Sequence, residues 1–184
     1  MKKISLAILL SAFVATPALA DNTGRFYIAG DLGSATYSNM DPFPNPGVFR
    51  IAGGYHFSPA LAVEVGYSKF GDSTVTIVGF GSATVSASSF QVAAVGSLPL
   101  NPQFDLIGKL GLASNSETDS VTIPGVGNAS GSYSQSDLLI GFGAQYHINS
   151  QVSVRLQYDN YGKFDNYPSP MKASSISLGV AYDF

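Results

Sequence analysis

Glu64 and Arg155 are the residues of this chain whose type and placement most directly suggest chemistry. Each stands nine residues after an aromatic (Tyr55 and Tyr146) that borders a tight turn, and each occupies the polar side of a segment with period-two alternation. Equal counts from equivalent points put the two side chains at one level, where an acid and a base can pair. An unpaired charge in a narrow interior is costly, so each needs a partner. The pair is either a structural plug or a gate; burial alone accounts for a plug, which is the favoured reading. Asp31, Arg50, Lys109 and Gln145 share the same polar side and can extend a network, without partners assignable from spacing. His56 ("YHF") and His147 ("YHI") occupy equivalent sites above two of the turns. A metal centre needs three or four converging ligands. With no cysteine and no carboxylate cluster in sequence beside them, the histidines read as polar filler, and neither metal nor cofactor is expected. Serines are many, but a nucleophile needs a base and an orienting group beside it. No catalytic residue is assigned. The G-x-G pairs Gly79/Gly81 and Gly125/Gly127 open no helix after a strand, so they are turn glycines and not a phosphate cradle.

The elements that must position these residues are strands. In "VSVRLQYD", Val152, Val154, Leu156 and Tyr158 alternate with Ser153, Arg155, Gln157 and Asp159; "LAVEVGY" and "SSISLGVAYDF" alternate likewise. Eight such segments are expected, near 25–37, 48–57, 60–71, 84–99, 103–114, 134–148, 151–162 and 172–184. The side opposite the apolar one is built of Gly, Ala and Ser with single charges. A solvent-facing side would carry far more Lys and Glu, whereas small residues with sparse charges suit the lumen of a narrow barrel, which side chains fill. Connections alternate between tight (58–60, 100–103, 149–151) and long (38–47, 72–83, 115–133, 163–171). Aromatics gather near the tight turns (Tyr55, Phe57, Phe104, Tyr146, Tyr182, Phe184) and near the long loops (Tyr37, Tyr67, Phe70, Tyr158, Tyr161), as interfacial girdles would. The fold class these features give is all-β: an eight-stranded antiparallel up-and-down transmembrane β-barrel.

Composition agrees. The first 20 residues, "MKKISLAILLSAFVATPALA", have a basic start, an apolar run too short to span a bilayer and an A-x-A site, which reads as a cleaved signal peptide before a barrel domain over 21–184. Without Lys2 and Lys3, seven Lys+Arg face twelve Asp+Glu, a net charge of −5 that argues against a nucleic-acid partner. An exported chain with no cysteine, 45% hydrophobic and 11% charged residues, and no apolar run of membrane-helix length beyond the signal should cross a membrane with strands. Outer-membrane lipids are then its first partners, and it is expected to be monomeric.

The stretches "AGGYHFSPALAVEVGY", "SLPLNPQFDLIGKLG", "GAQYHINSQVSVRLQY" and "SISLGVAYDF" resemble the eight-stranded OmpA-like transmembrane domain, strand by strand over the mature chain but not in the long loops. The resemblance implies the outer membrane of a Gram-negative bacterium. It also implies insertion by the barrel-assembly machinery, with Tyr182 and Phe184 as an aromatic-x-Phe ending. It implies that Glu64 and Arg155 pair across the lumen. Where that pattern adds a Lys and a Glu, this chain has Val95 and Gln145, a paired loss that weakens a charge-switched gate. OmpA-type proteins continue into a peptidoglycan-binding domain; no such domain is expected here, and cell-wall tethering is not carried over.

"VTIVGFGSAT" (75–84) and "VTIPGVGNAS" (121–130) agree at six positions and fall in the second and third long loops. Their β-branched runs flanking glycine predict two neighbouring β-hairpins above the membrane. Val75, Ile77, Val78, Phe80, Val121, Ile123 and Val126 would then be held in water, and exposed apolar patches tend to be contact surfaces. OmpX-like barrels resemble this arrangement. The expected role is a small structural barrel that supports envelope integrity and presents surface loops. Adhesion to a surface or host ligand through loops 2 and 3 is the alternative, and a narrow or gated pore the third reading.

Overall fold

The computed structural model describes residues 22–38, 45–77, 81–123, 127–164 and 170–184. The signal segment lies outside them, as do Val78, Phe80 and Val126 of the expected contact loops. Nine strands occur in chain order: β1 (Phe26–Ser38), β2 (Gly47–Ser58), β3 (Leu61–Phe70), β4 (Ser73–Ile77), β5 (Gly81–Asn101), β6 (Phe104–Ile123), β7 (Gly127–His147), β8 (Val152–Lys163) and β9 (Lys172–Asp183). Every pairing is antiparallel, and eight strands close a ring: β3-β2-β1-β9-β8-β7-β6-β5, with β3 returning onto β5. The short β4 stands outside the ring. It follows β3 after Gly71 and Asp72 and pairs with the outer end of β5, Ser73 opposite Val85 through Ile77 opposite Gly81.

Alternation sends one side chain to lipid and the next to the lumen, and in the membrane-crossing parts of the strands the burial pattern follows it. In β3 Leu61, Val63, Val65, Tyr67 and Lys69 are exposed while Ala62, Glu64, Gly66, Ser68 and Phe70 are buried. Phe26, Ile28, Leu32, Phe49, Ile51, Leu110, Phe142, Leu156, Ile176 and Leu178 continue the outer belt around the barrel. Polar groups of the backbone are satisfied by the closed ladder, the condition for crossing hydrocarbon without helices.

The ring strands match the expected segments except at one end. β5, β6 and β7 contain 21, 20 and 21 residues, about twice the ~9–11 a tilted strand needs to cross a bilayer. Their outer halves stay paired, Ser82 opposite Thr122 and Val121 opposite Ala129, so the two predicted hairpins form and join edge to edge. With β4 they make a raised four-stranded sheet. The repeat explains its shape. In both copies the isoleucine faces the second glycine of G-x-G across the hairpin, Ile77 opposite Gly81 and Ile123 opposite Gly127, and these glycines have φ of 127° and 134°, where a side chain would be strained. Of the expected contact residues, Val121 is exposed and Val75 is half-buried rather than open to water; the Ile77 and Ile123 side chains lie outside the description.

One aromatic girdle holds and the other needs correction. Phe57, Phe104, Tyr146, Tyr182 and Phe184 face outward at the tight-turn end. At the opposite end Tyr67 faces outward, but Tyr37, Phe70 and Tyr161 do not join it: they have the parity of the lumen residues and are buried inside. Nearness to a loop suggested an interface, but the two-residue period decides the side.

Candidate functional site

The lumen is filled in three layers. At the tight-turn end Tyr27, Ala29, Ala62, Val95 and Ala181 form a small apolar cluster. Below it each histidine has a carboxylate: His56 Nε2 lies 3.1 Å from Asp183 Oδ1, and His147 Nε2 lies 2.9 Å from Asp105 Oδ2. The carboxylates missing from the local sequence come from β9 and β6, brought over by strand pairing. Each imidazole has its own acid, and no group of three metal-ligating side chains converges among the described residues.

The middle layer is ionic and far larger than one pair. Glu64 and Arg155 do meet, with Nη1 donating to Oε2 at 2.9 Å. Glu64 also accepts from Arg50 Nη2, from the Tyr27 hydroxyl at 3.0 Å, and faces Lys109 Nζ at 3.1 Å. Asp31 receives Arg155 in a two-pronged contact, Nε to Oδ1 at 2.9 Å and Nη2 to Oδ2 at 2.8 Å, while Arg50 Nη1 donates to the same Oδ2 at 2.9 Å. Gln91 and Gln157 complete the donor count, accepting from Arg50 Nε at 3.2 Å and from Lys109 Nζ at 2.6 Å. Asp159 faces Lys109 Nζ at 3.8 Å. Asp31, Glu64 and Asp159 thus balance Arg50, Lys109 and Arg155, all essentially inaccessible to solvent. Charges removed from water hold only when paired and hydrogen-bonded. Asp31, Glu64, Arg50, Lys109 and Arg155 meet that condition, whereas Asp159 is paired through Lys109 alone and neither of its oxygens has a hydrogen bond.

Glycines make the crossing geometry. Asp31 of β1 and Arg155 of β8 both stand opposite Gly179 of the intervening β9. A Cβ at Gly179 would overlap Asp31 Oδ1 and the Gly30 carbonyl, so only glycine leaves the acid and the guanidinium room to meet over β9. Gly54 does the same for the Tyr27 ring and Gly141 for Asp159. Gly179→Ala is therefore expected to cost about 1–3 kcal/mol of unfolding free energy, an overpacking effect readable as an earlier urea midpoint of the reconstituted barrel.

The third layer seals the loop end. Tyr37, Phe70, Tyr161, Phe164 and Met171 are buried together with small residues of the strands. Phe70 meets Tyr161 edge-on at 5.2 Å and Phe164 at 5.6 Å between ring centroids. Asn115 braces this layer from β6: its Nδ2 donates to the carbonyls of Tyr161 at 2.7 Å and Lys163 at 2.8 Å. Those carbonyls belong to the stretch of β8 beyond Asn160, where pairing with β7 has ended.

Spacing found Glu64 and Arg155 and put Asp31, Arg50, Lys109 and Gln145 on the correct side. It treated the first two as a pair; the structure makes Arg50 their third member and adds Asp159, Gln91 and Gln157. Val95 and Gln145 do not join the ionic layer. They line a residual cavity of about 20 Å³ beneath Arg155, room for about one water.

A family model described as an outer membrane protein β-barrel domain matches residues 5–184. Among solved structures, the chain is similar to Ail, the attachment invasion locus protein of Yersinia pestis, in complex with the heparin analogue sucrose octasulfate, with 18% identity over 88% of this chain and 99% of that one and a TM-score of 0.66. Neisserial surface protein A is similar at 20% identity over 86% and 97%, TM-score 0.65. The N-terminal barrel domain of Pseudomonas aeruginosa OprF is similar at 15% over 88% and 100%, TM-score 0.59. No curated protein matches. At these identities the likeness concerns the fold.

Proposed function

The chain belongs to the outer membrane protein β-barrel domain family, and on that premise we propose that it is a sealed structural barrel that strengthens the outer membrane and carries a raised sheet on the outside. The observation that carries this reading is the lumen. Among the described residues an apolar cluster, a neutral six-charge network and an aromatic layer follow one another along the axis, each bridging opposite walls. A conducting barrel needs an open polar path, and it is closed twice: the ionic layer fills the section with paired side chains, and the aromatic layer above it closes the loop end. The mature chain refolded into a planar bilayer is expected to give no single-channel steps. Steady or flickering steps would overturn the sealed reading and favour a pore.

Adhesion is the second reading, and the raised sheet favours it. Above Ile140, β7 has β6 on one side and no strand on its other side among the described residues. Its Gly127–Ser132 stretch is exposed on both faces. Such an edge accepts another strand through main-chain hydrogen bonds. Sulfated ligands such as the heparin analogue in complex with Ail are disfavoured here, because Glu117 and Asp119 are the only charged residues on the described parts of this sheet (73–77, 81–89 and 115–136). Replacing 74–84 and 118–132 with short Gly/Ser turns, which leaves Ala87 and Asn115 in place, separates the two readings. A structural barrel keeps the resistance of the envelope to detergent, whereas an adhesin keeps that resistance and loses cell-surface binding.

A further inference from the structure

We propose that the outward face of β1, β2 and β3 is a docking furrow for a phosphorylated lipid of the outer leaflet, with Lys69 binding the phosphate and an acyl chain lying on the strands below. Two adjoining hollows form the furrow. The lower one, about 700 Å³, runs past Ile28, Gly30, Ile51, Gly53, Val65 and Tyr67; the upper one, about 470 Å³, is bounded by Leu32, Gly47, Phe49 and Lys69. They adjoin because Gly30 and Leu32, Ile51 and Phe49, and Tyr67 and Lys69 are successive outward positions on their strands. Missing side chains make the hollow. A Cβ on Gly30 would meet nothing within 4 Å, and one on Gly53 would meet only a carbonyl at 3.8 Å.

The hollow is asymmetric in a way that selects a lipid with an anionic head. Its walls are apolar except at the upper lip, where Lys69 follows Tyr67 as the last outward residue of β3 before the raised sheet. An ammonium at that depth meets the headgroup layer, and a phosphate there gains a charge-assisted hydrogen bond while its chain gains the apolar floor. Asp72 shares the lip, its Oδ1 accepting from the Ser86 hydroxyl of β5 at 2.6 Å; its charge remains, so the phosphate must sit on the Lys69 side of the lip. Lys163 and Lys172, the other outer-end lysines, stand opposite each other on β8 and β9 and do not line either hollow. They serve as an internal control for unspecific attraction between lysine and phosphate.

The inference rests on membrane placement and not on the sealed lumen, and its readout is independent of conductance. The refolded chain in detergent micelles is mixed with lipid A, a doubly phosphorylated acylated glycolipid, and lipid retention is read by native mass spectrometry. One retained lipid A is expected, with retention lowered about tenfold by Lys69→Gln and comparably by Gly30→Leu, and unchanged by Lys172→Gln. Gly30→Leu fills the floor at a position with open space, and the heat-modifiable gel shift of a folded barrel checks each variant. Equal retention of dephosphorylated lipid A would overturn the phosphate contact. Loss with Lys172→Gln matching that with Lys69→Gln, or no loss with Gly30→Leu, would overturn the furrow.

Discussion

Glu64→Ala is expected to lower the unfolding free energy of the reconstituted barrel by about 3–5 kcal/mol, the cost of breaking a buried ion pair from one side. Glu64 is the point where Arg50, Lys109, Arg155 and the Tyr27 hydroxyl converge, so its loss leaves Asp31 and Asp159 against three cations in a closed space. Glu64→Gln, which keeps the shape and one acceptor oxygen, should recover part of the loss. Urea titration followed by gel shift measures both variants. A loss below about 1 kcal/mol, the range of exposed pairs, would mean that water reaches the network. In a planar bilayer neither variant should conduct, because the aromatic layer above the network is untouched. Steps appearing in Glu64→Ala alone would make the network the barrier and return the gate to consideration.

Phe70→Ala tests the other seal. The ring is fully buried and touches Tyr161 and Phe164 edge-on, with Tyr37 at 6.0 Å between centroids. Truncation removes the apolar contact and leaves a void that stiff strand backbones cannot close, for about 3–5 kcal/mol. Phe70→Leu should cost less. Conductance should stay at zero while the ionic layer holds, and only the combination of Phe70→Ala with Glu64→Ala should leak. If Phe70→Ala conducts by itself, the network is not a seal.

Much of this architecture was legible in the chain because membrane strands write their two faces in strict alternation. "VSVRLQYD" assigns Arg155, Gln157 and Asp159 to the lumen without reference to any other strand. Illegible were partners, since these depend on how tilted strands stagger around the ring. Arg50 sits directly opposite Asp31 but reaches Glu64 on the next strand across a slanted ladder. The raised sheet was half legible. Its hairpins show in the repeated Val-Thr-Ile runs, but the limits of β6 and β7 do not. Ser114, Ser116, Ser130, Ser132, Ser134 and Ser136 make the outward face polar there, and Asn115, Glu117, Asp119 and Gln135 make the other face polar too, so no apolar period remains to detect. Tyr37, Phe70 and Tyr161 differ from expectation for the opposite reason: their parity assigns them to the lumen, while their nearness to loops points to an interface.

Gly179 has a further consequence at the moment the ring closes. β1 and β9 come from the two ends of the chain, and their register at closure sets the shear of the barrel, hence its diameter. A slip of two residues keeps every apolar side chain facing lipid, so hydrophobic alternation cannot oppose it. Such a slip would bring Ser177 or Ala181 opposite Asp31, and either one would put a Cβ where the guanidinium must pass. Only with Gly179 in place can Arg155 reach over β9 to both oxygens of Asp31. An absent side chain on the last strand thereby acts as the gauge that tells the closing barrel how wide to be.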